Sequence, residues 1–311
     1  MAAVFIFQVG RGKKMDLERI IDEKYSGMNV RTFLKKELSC STDLIRHIIE
    51  EEGLSLNGRM PYLSDQLQTG DHLGLSLHSG FGSSNLPAYD VELNILYEDR
   101  WLIAVDKPAF MLVHPLTIQE NGTLANIIRQ YQICQNEEYT IRPVSRLDRN
   151  TSGIVLFAKN SYVQHVLQIQ GKNGRFQKEY LALTDGHLWL PYDRITKKIG
   201  RKPGSIIEHE VSDTGKDAIT EYSVIKQYKN FELVYIRLFT GRTHQIRVHM
   251  GSIGHPVTGD TLYGEKENVK INRQCLHAHR IQFDHPITNK TVKIKSPLPK
   301  DIRETIRLDI I

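Results

Sequence analysis

The sequence is poor in cysteine. Its 311 residues hold three, Cys40, Cys134 and Cys275, far apart and without a CxxC pair. That excludes a disulfide framework and a cysteine-built zinc site, and it points to a reducing compartment, the cytoplasm. No apolar run approaches the roughly 18 residues that a membrane-spanning helix needs. The apolar stretch Ala2–Val9 has no charge before it and no small-residue cleavage site after it, so it does not read as a signal peptide. Residues 1–14 are expected to be an N-terminal extension. Fixed-period repeats and low-complexity segments are also missing. So is a strong excess of one charge: 41 Lys and Arg against 36 Asp and Glu leave a net +5, which permits a nucleic-acid partner without requiring one. What is there, 40% hydrophobic and 25% charged residues, is the composition of a folded globular protein rather than a disordered chain, a collagen-like fibre or a coiled-coil rod.

The length predicts two domains. Residues 15–78 read as a small α+β unit. Val30, Phe33, Leu34 and Leu38 recur at helical spacing, Ser41 or Thr42 caps a second helix carrying Leu44, Ile45, Ile48 and Ile49, and Gly53 stops it. Asn57-Gly58 marks a tight turn, and Leu73, Leu75 and Leu77 alternate as a strand. Residues 79–90 are rich in Gly, Ser and Pro with no apolar period, and are expected to be a linker. From 91 to 305 strand patterns dominate (WLIAVDKP, GIVLFAKN, KEYLALTDG, DAITEYSVI, FELVYIRLFT, RIQFDHP), with helical stretches at TLANIIRQYQ, SYVQHVLQIQG and GRTHQIRVHM. The predicted fold class is therefore α+β, with a mixed, mostly antiparallel sheet and a few helices in the large domain.

Three stretches carry chemistry. In RPVSRLDRNTSGIVLFAKN, Asp148 sits between Arg146 and Arg149, ahead of a Thr-Ser-Gly turn and a very apolar strand. Cations on either side of a carboxylate favour its charged form, and Thr151 and Ser152 suit a fixed loop. The plainer alternative is a surface turn with a salt bridge. In TGRTHQIRVHM, Arg242 stands at a strand-to-helix corner where a guanidinium can grip a carboxylate or phosphate in a bidentate manner, and Thr243 and Arg247 are four apart. A basic amphipathic helix with Ile246 and Met250 inward is the alternative. In FQKEYLAL, Phe176, Lys178 and Tyr180 share one strand face, so Tyr180 either packs in the core or offers its ring to a base.

These stretches, in this order, with GHPVTGDTLYG, LHAHRIQFDHP and the earlier VDKPAFMLVHP, resemble the RNA pseudouridine synthases of the RluA type, over roughly residues 90–300. The 15–78 unit resembles the S-four RNA-binding domain. The resemblance implies isomerisation of specific uridines in structured RNA, with large-subunit ribosomal RNA ahead of transfer RNA, by a cytoplasmic monomer that needs no cofactor and no metal. It implies a nucleophilic role for Asp148, at the sugar or the base, Arg242 as the arginine paired with it, and Tyr180 as the aromatic stacked on the target base. Arg146, Arg149, Arg247 and Lys178 are then candidates for gripping RNA, as are Arg31, Lys35, Lys36 and Arg46 on the small unit's helices, where Glu50, Glu51 and Glu52 offset part of the charge. Three positions depart from the family pattern: Ser145 replaces a His, Asn150 an Asp, and Phe110 a Gly in the KPAG-like turn. His277 and His279 invite a zinc reading, but no third ligand stands at a suitable spacing. The rival from another class is a non-catalytic RNA-binding or ribosome-assembly factor on the same fold. A hydrolytic nucleosidase and a metal-dependent RNA hydrolase are further rivals, distinguished by release of free uracil and by sensitivity to chelators.

Overall fold

The structure, a computed structural model, describes residues 15–77, 86–117, 121–264 and 271–308. The expected extension 1–14 and residues 79–85 of the expected linker lie outside the described residues.

The first segment folds as β1 (Leu17–Ile20), α1 (Val30–Lys36), α2 (Thr42–Glu50), β2 (Leu54–Leu56) and β3 (His72–Leu75). Both helices start on side-chain caps: Asn29 accepts the Thr32 N–H at 2.8 Å, and Ser41 accepts the Leu44 N–H at 3.1 Å. Asn57 and Gly58 both hold positive φ (50° and 84°), as a tight turn requires. The strands pair antiparallel in the order β1-β3-β2, and their inner faces meet Val30, Phe33, Leu34, Leu44, Ile45 and Ile48.

The second segment runs β4 (Ile95–Glu98), β5 (Leu102–Lys107), α3 (Leu124–Gln135), β6 (Arg142–Pro143), β7 (Ser152–Ala158), α4 (Ser161–Lys172), β8 (Gln177–Asp185), β9 (Tyr192–Ile195), β10 (Ile199–Arg201), β11 (His209–Val211), β12 (Thr220–Gln227), β13 (Phe231–Leu238), α5 (Gln245–Ser252), β14 (Leu276–Asp284), β15 (Thr291–Lys295) and α6 (Lys300–Leu308). Ten of these strands form one sheet, ordered β4-β5-β7-β14-β8-β13-β12-β9, with β15 beside β14 and β6 beside β7. Among the described residues only β7 and β14 pair in parallel. The class is the expected α+β with a mostly antiparallel sheet.

β7 is buried along its whole length, which is why it reads as a continuous apolar run. At its start the β14 backbone comes so close that a Cβ on Gly153 (φ 112°) would overlap the Ala278 backbone, so this strand entry requires glycine. One apolar cluster joins the two segments: Leu17, Leu34 and Leu75 belong with Leu102, Ile154, Tyr162 and Val163. Arg100 adds an ion pair to the buried Asp16 at 2.5 Å. The described part of the expected linker is stitched to α3: the Pro87 carbonyl accepts from the Asn126 amide at 2.7 Å, and the Tyr89 N–H donates to the Asn126 carbonyl at 3.2 Å. No helix among the described residues is long and apolar enough to cross a membrane.

Two differences from the sequence reading bear on the site. The helix expected over GRTHQIRVHM begins only at Gln245. The Gln245 Oε1 accepts the Arg242 N–H (2.9 Å) and the Thr240 hydroxyl (2.8 Å), while its amide donates to the Ile219 carbonyl (2.9 Å). That side chain knots the preceding loop and delays the first turn, so Thr243 lies outside the helix and does not share a helical face with Arg247. The sequence reading also did not assign α6, whose single buried residue is Ile302.

Candidate active site

The loop carrying Asp148 lies between β6 and β7, over the middle of the large sheet. It is braced from below. The Thr151 N–H donates to the Asp148 carbonyl at 3.1 Å, closing a turn. The fully buried Lys107 at the end of β5 donates its Nζ to the carbonyls of Pro108 (2.8 Å), Met111 (2.8 Å) and Arg149 (3.1 Å). Burial pushes its pKa down to about 7, helped by the Arg273 charge and opposed by Asp148 and Asp106. Arg273 is also fully buried. It holds Asp301 at the start of α6 with two bonds (2.6 and 2.9 Å) and reaches the Asn150 carbonyl at 3.2 Å and the Ser152 hydroxyl at 3.4 Å. The loop is thus tied to β5 and to the C-terminal helix, elements far apart in sequence.

The Asp148 side chain is 29% exposed and faces cationic and polar groups from α5 and its N-terminus. Arg247 Nη1 lies 3.4 Å from Asp148 Oδ2. Arg247, 8% exposed, is itself anchored by the buried Asp260, which takes its Nε at 2.6 Å and its Nη2 at 2.8 Å. The Asp260 carboxylate also accepts the Leu262 and Tyr263 N–H groups, and the Arg247 guanidinium rests over the Tyr263 ring at 5.0 Å. His244 Nε2 is 3.9 Å from Asp148 Oδ2. The Tyr263 hydroxyl accepts the His209 N–H at 2.9 Å and is hydrogen-bonded to His244 Nδ1 at 2.9 Å, which turns the His244 Nε2 edge towards Asp148. Burial lowers the His244 pKa, which suits the neutral ring. Tyr180, 7% exposed on β8, packs with Ile236, Ile246 and Ala278. Its phenol pKa is raised by burial and then by the Asp148 charge, so its proton stays on at neutral pH close to that carboxylate. The result is a partly exposed carboxylate, aimed by an arginine anchored on the buried Asp260, with a buried phenol and an imidazole of lowered pKa beside it. Such a group can attack a bound ring or sugar carbon while nearby donors meet developing negative charge.

Residues 101–252 match the family model described as RNA pseudouridylate synthase. Among curated proteins, the uncharacterized RNA pseudouridine synthase YhcT of Bacillus subtilis strain 168 is 35% identical over 302 residues, covering 96% of this chain and 98% of that protein. This chain belongs to the RNA pseudouridine synthase family. The activity of the family is isomerisation of uridine in RNA, and its RluA-type branch is represented by the ribosomal large subunit pseudouridine synthase D of Xylella fastidiosa, 32% identical over 82% of this chain and 80% of that protein. Among solved structures, human RNA pseudouridylate synthase domain containing 1 superposes with a TM-score of 0.56 at 27% identity, over 68% of this chain and 85% of the human one.

Within this pseudouridine synthase the fold gathers Asp148, Tyr180 and Arg247, but it corrects the expected pairing. Arg242 does not hold Asp148: its Nε donates to the Asp217 carbonyl at 2.8 Å, in the loop before β12. Arg247, expected only as an RNA grip, is the partner. The reason is helix phase. With α5 starting at Gln245, position 247 points back under the loop and position 242 lies before the helix. Arg146 and Arg149 are exposed on either side of Asp148, and Arg149 Nε reaches the Phe110 carbonyl at 3.4 Å. Lys178 lies two residues before Tyr180, its Nζ at Gly241 (3.2 Å from where a Cβ would stand), with burial lowering its pKa and no carboxylate paired with it among the described residues. Arg31 and Lys35 are exposed on α1. Arg46 is exposed on α2, where Asp43 (3.3 Å) and Glu50 (3.9 Å) already neutralise it. His277 and His279 both turn to the Ser296 carbonyl, at 3.3 and 2.6 Å. The sequence reading gave no role to Asp260, His244, Tyr263, Lys107 or Arg273. Asp260 carried a signal: it follows Gly259, whose φ of 77° fixes a tight GD turn. The others are recognisable only through their partners.

Proposed function

We propose that this pseudouridine synthase acts on large-subunit ribosomal RNA with Asp148 as its nucleophile. Attack at the sugar balances the step: an Asp148 carboxylate oxygen bonds to C1′ of the uridine as the N1–C1′ bond breaks. The released uracil anion turns, C5 bonds to C1′ as the bond to Asp148 breaks and the carboxylate is regenerated, and the C5 proton leaves to water while N1 takes one up. Arg247 aims the carboxylate, Tyr180 stacks against the target base, and Arg146, Arg149 and Lys178 hold the displaced strand's phosphates. The segment 15–77 acts as an S-four-like docking unit through Arg31 and Lys35. We take the enzyme to work as a cytoplasmic monomer without metal. The observation that carries this reading is the Asp148 carboxylate 3.4 Å from an arginine pinned by the buried Asp260. The ribosomal target is supported by the name of the Xylella relative.

Mapping pseudouridine across total RNA in cells carrying the wild-type gene or Asp148→Asn tests it. One or a few uridines left unmodified in the variant is the expected result, and their position names the RNA. Identical maps, with the protein still bound to ribosomes, would favour the non-catalytic RNA-binding factor. Asp148→Asn protein is expected to melt within about 2 °C of wild type, because the group removed is partly solvated and Arg247 keeps its two short bonds to Asp260.

A further inference from the structure

The turn after β5, residues 108–111, is built around a residue that its backbone disfavours. Phe110 holds φ at +67°, the left-handed region that glycine occupies freely and a bulky residue enters at a cost. Its ring is 49% exposed and belongs to none of the apolar clusters, so burial does not offset that cost. The turn is nevertheless rigid. Lys107 Nζ ties the carbonyls on both sides of it, Pro108 and Met111, to the carbonyl of Arg149, and the Phe110 carbonyl itself accepts from Arg149 Nε at 3.4 Å. Turn and catalytic loop are therefore one block, and the Phe110 backbone is held against the loop that carries Asp148. Arg149, whose Nε reaches the Phe110 carbonyl, and Arg146 are exposed cations on that block.

We propose that Phe110 is a stacking platform for the nucleotide next to the target uridine. This rests on the isomerase reading of the same site. Drawing a uridine out of its stack leaves one face of the neighbouring base without a partner. An exposed aromatic ring, strained into place beside cations that hold the backbone, offers that face a surface, and any base can stack on it, with purines gaining most. The ring does not contact the reacting atoms and serves as a positioning residue.

The test uses the full chain and RNA labelled with [5-3H]uridine, extracted from cells lacking the gene. Formation of the C5–C1′ bond releases the C5 tritium to water. Phe110→Gly removes the ring and also the backbone strain. It is expected to melt at or above the wild-type temperature, yet to lose roughly tenfold in kcat/KM, mostly through KM. Phe110→Leu, apolar but without a π face, is expected to lose as much, while Phe110→Tyr stays within about twofold of wild type. A Phe110→Gly protein with wild-type kcat/KM, one that melts lower, or a Phe110→Tyr protein as poor as Phe110→Leu overturns the proposal. A wild-type protein that releases no tritium overturns the isomerase reading and this inference with it, whereas a fully active wild type beside an unaffected Phe110→Gly overturns this inference alone.

Discussion

Replacing Arg247 by Met separates the structural from the catalytic part of its contacts. The guanidinium is 8% exposed and makes two short bonds to the buried Asp260 (2.6 and 2.8 Å) and a longer one to Asp148 (3.4 Å). Removing one member of a buried ion pair leaves the other charge desolvated, at a cost of about 3–5 kcal/mol. At about 2–4 °C per kcal/mol, the melting temperature of Arg247→Met is expected to fall by roughly 6–20 °C. The Asp148 carboxylate also loses the group that aims it, so tritium release at saturating RNA is expected to fall by at least about 10²-fold, measured at a temperature where the variant is still folded. Adding Asp260→Asn removes the stranded charge, while its Oδ1 still accepts the Leu262 and Tyr263 N–H groups. The double variant is expected to recover much of the lost stability and none of the lost activity. Recovery of activity together with stability would refute the reasoning, because it would mean that Arg247 served only to neutralise Asp260. Loss of less than about 1 kcal/mol in the single variant would refute it from the other side.

Arg242→Ala removes one bond to a backbone carbonyl and no ion pair, and is expected to shift the melting temperature by no more than about 4 °C, in contrast to Arg247→Met. Tyr180→Phe keeps the buried ring and removes the phenol; RNA affinity by filter binding is expected to stay within about threefold while turnover falls about 10²-fold, and equal turnover would exclude a proton role for the hydroxyl. His277, whose pKa is pushed down to about 4, first by burial, binds its proton in the unfolded chain before it does so in the folded one. The folded state is therefore expected to lose stability as pH falls from about 6.5 to about 4, by up to about 3 kcal/mol, and His277→Gln to flatten that part of a urea-denaturation pH series.

Much of this protein follows from local chemistry. The apolar periods of α1, α2, α3 and α4, the Ser41 cap, the Asn57-Gly58 turn and the continuous apolar β7 are set by neighbours in the chain, and so are legible in it. So is the Asp148 loop, because Gly153 and the residues before it must make a tight entry to a buried strand. The order of the motifs, from RLDRNTSG through KEYLAL to GRTHQIRVH, was enough to indicate the family. Tertiary structure decided what crosses long distances. Asp148 and Arg247 are 99 residues apart, and two arginines five positions apart both suited the pairing; the Gln245 knot fixed the start of α5 and with it the arginine that faces inward. Lys107 and Arg273 look like ordinary surface cations in the sequence. They are buried because three backbone carbonyls in one case, and Asp301 with the Asn150 carbonyl in the other, satisfy their donors, and such partners exist only once β5, the catalytic loop and α6 have come together.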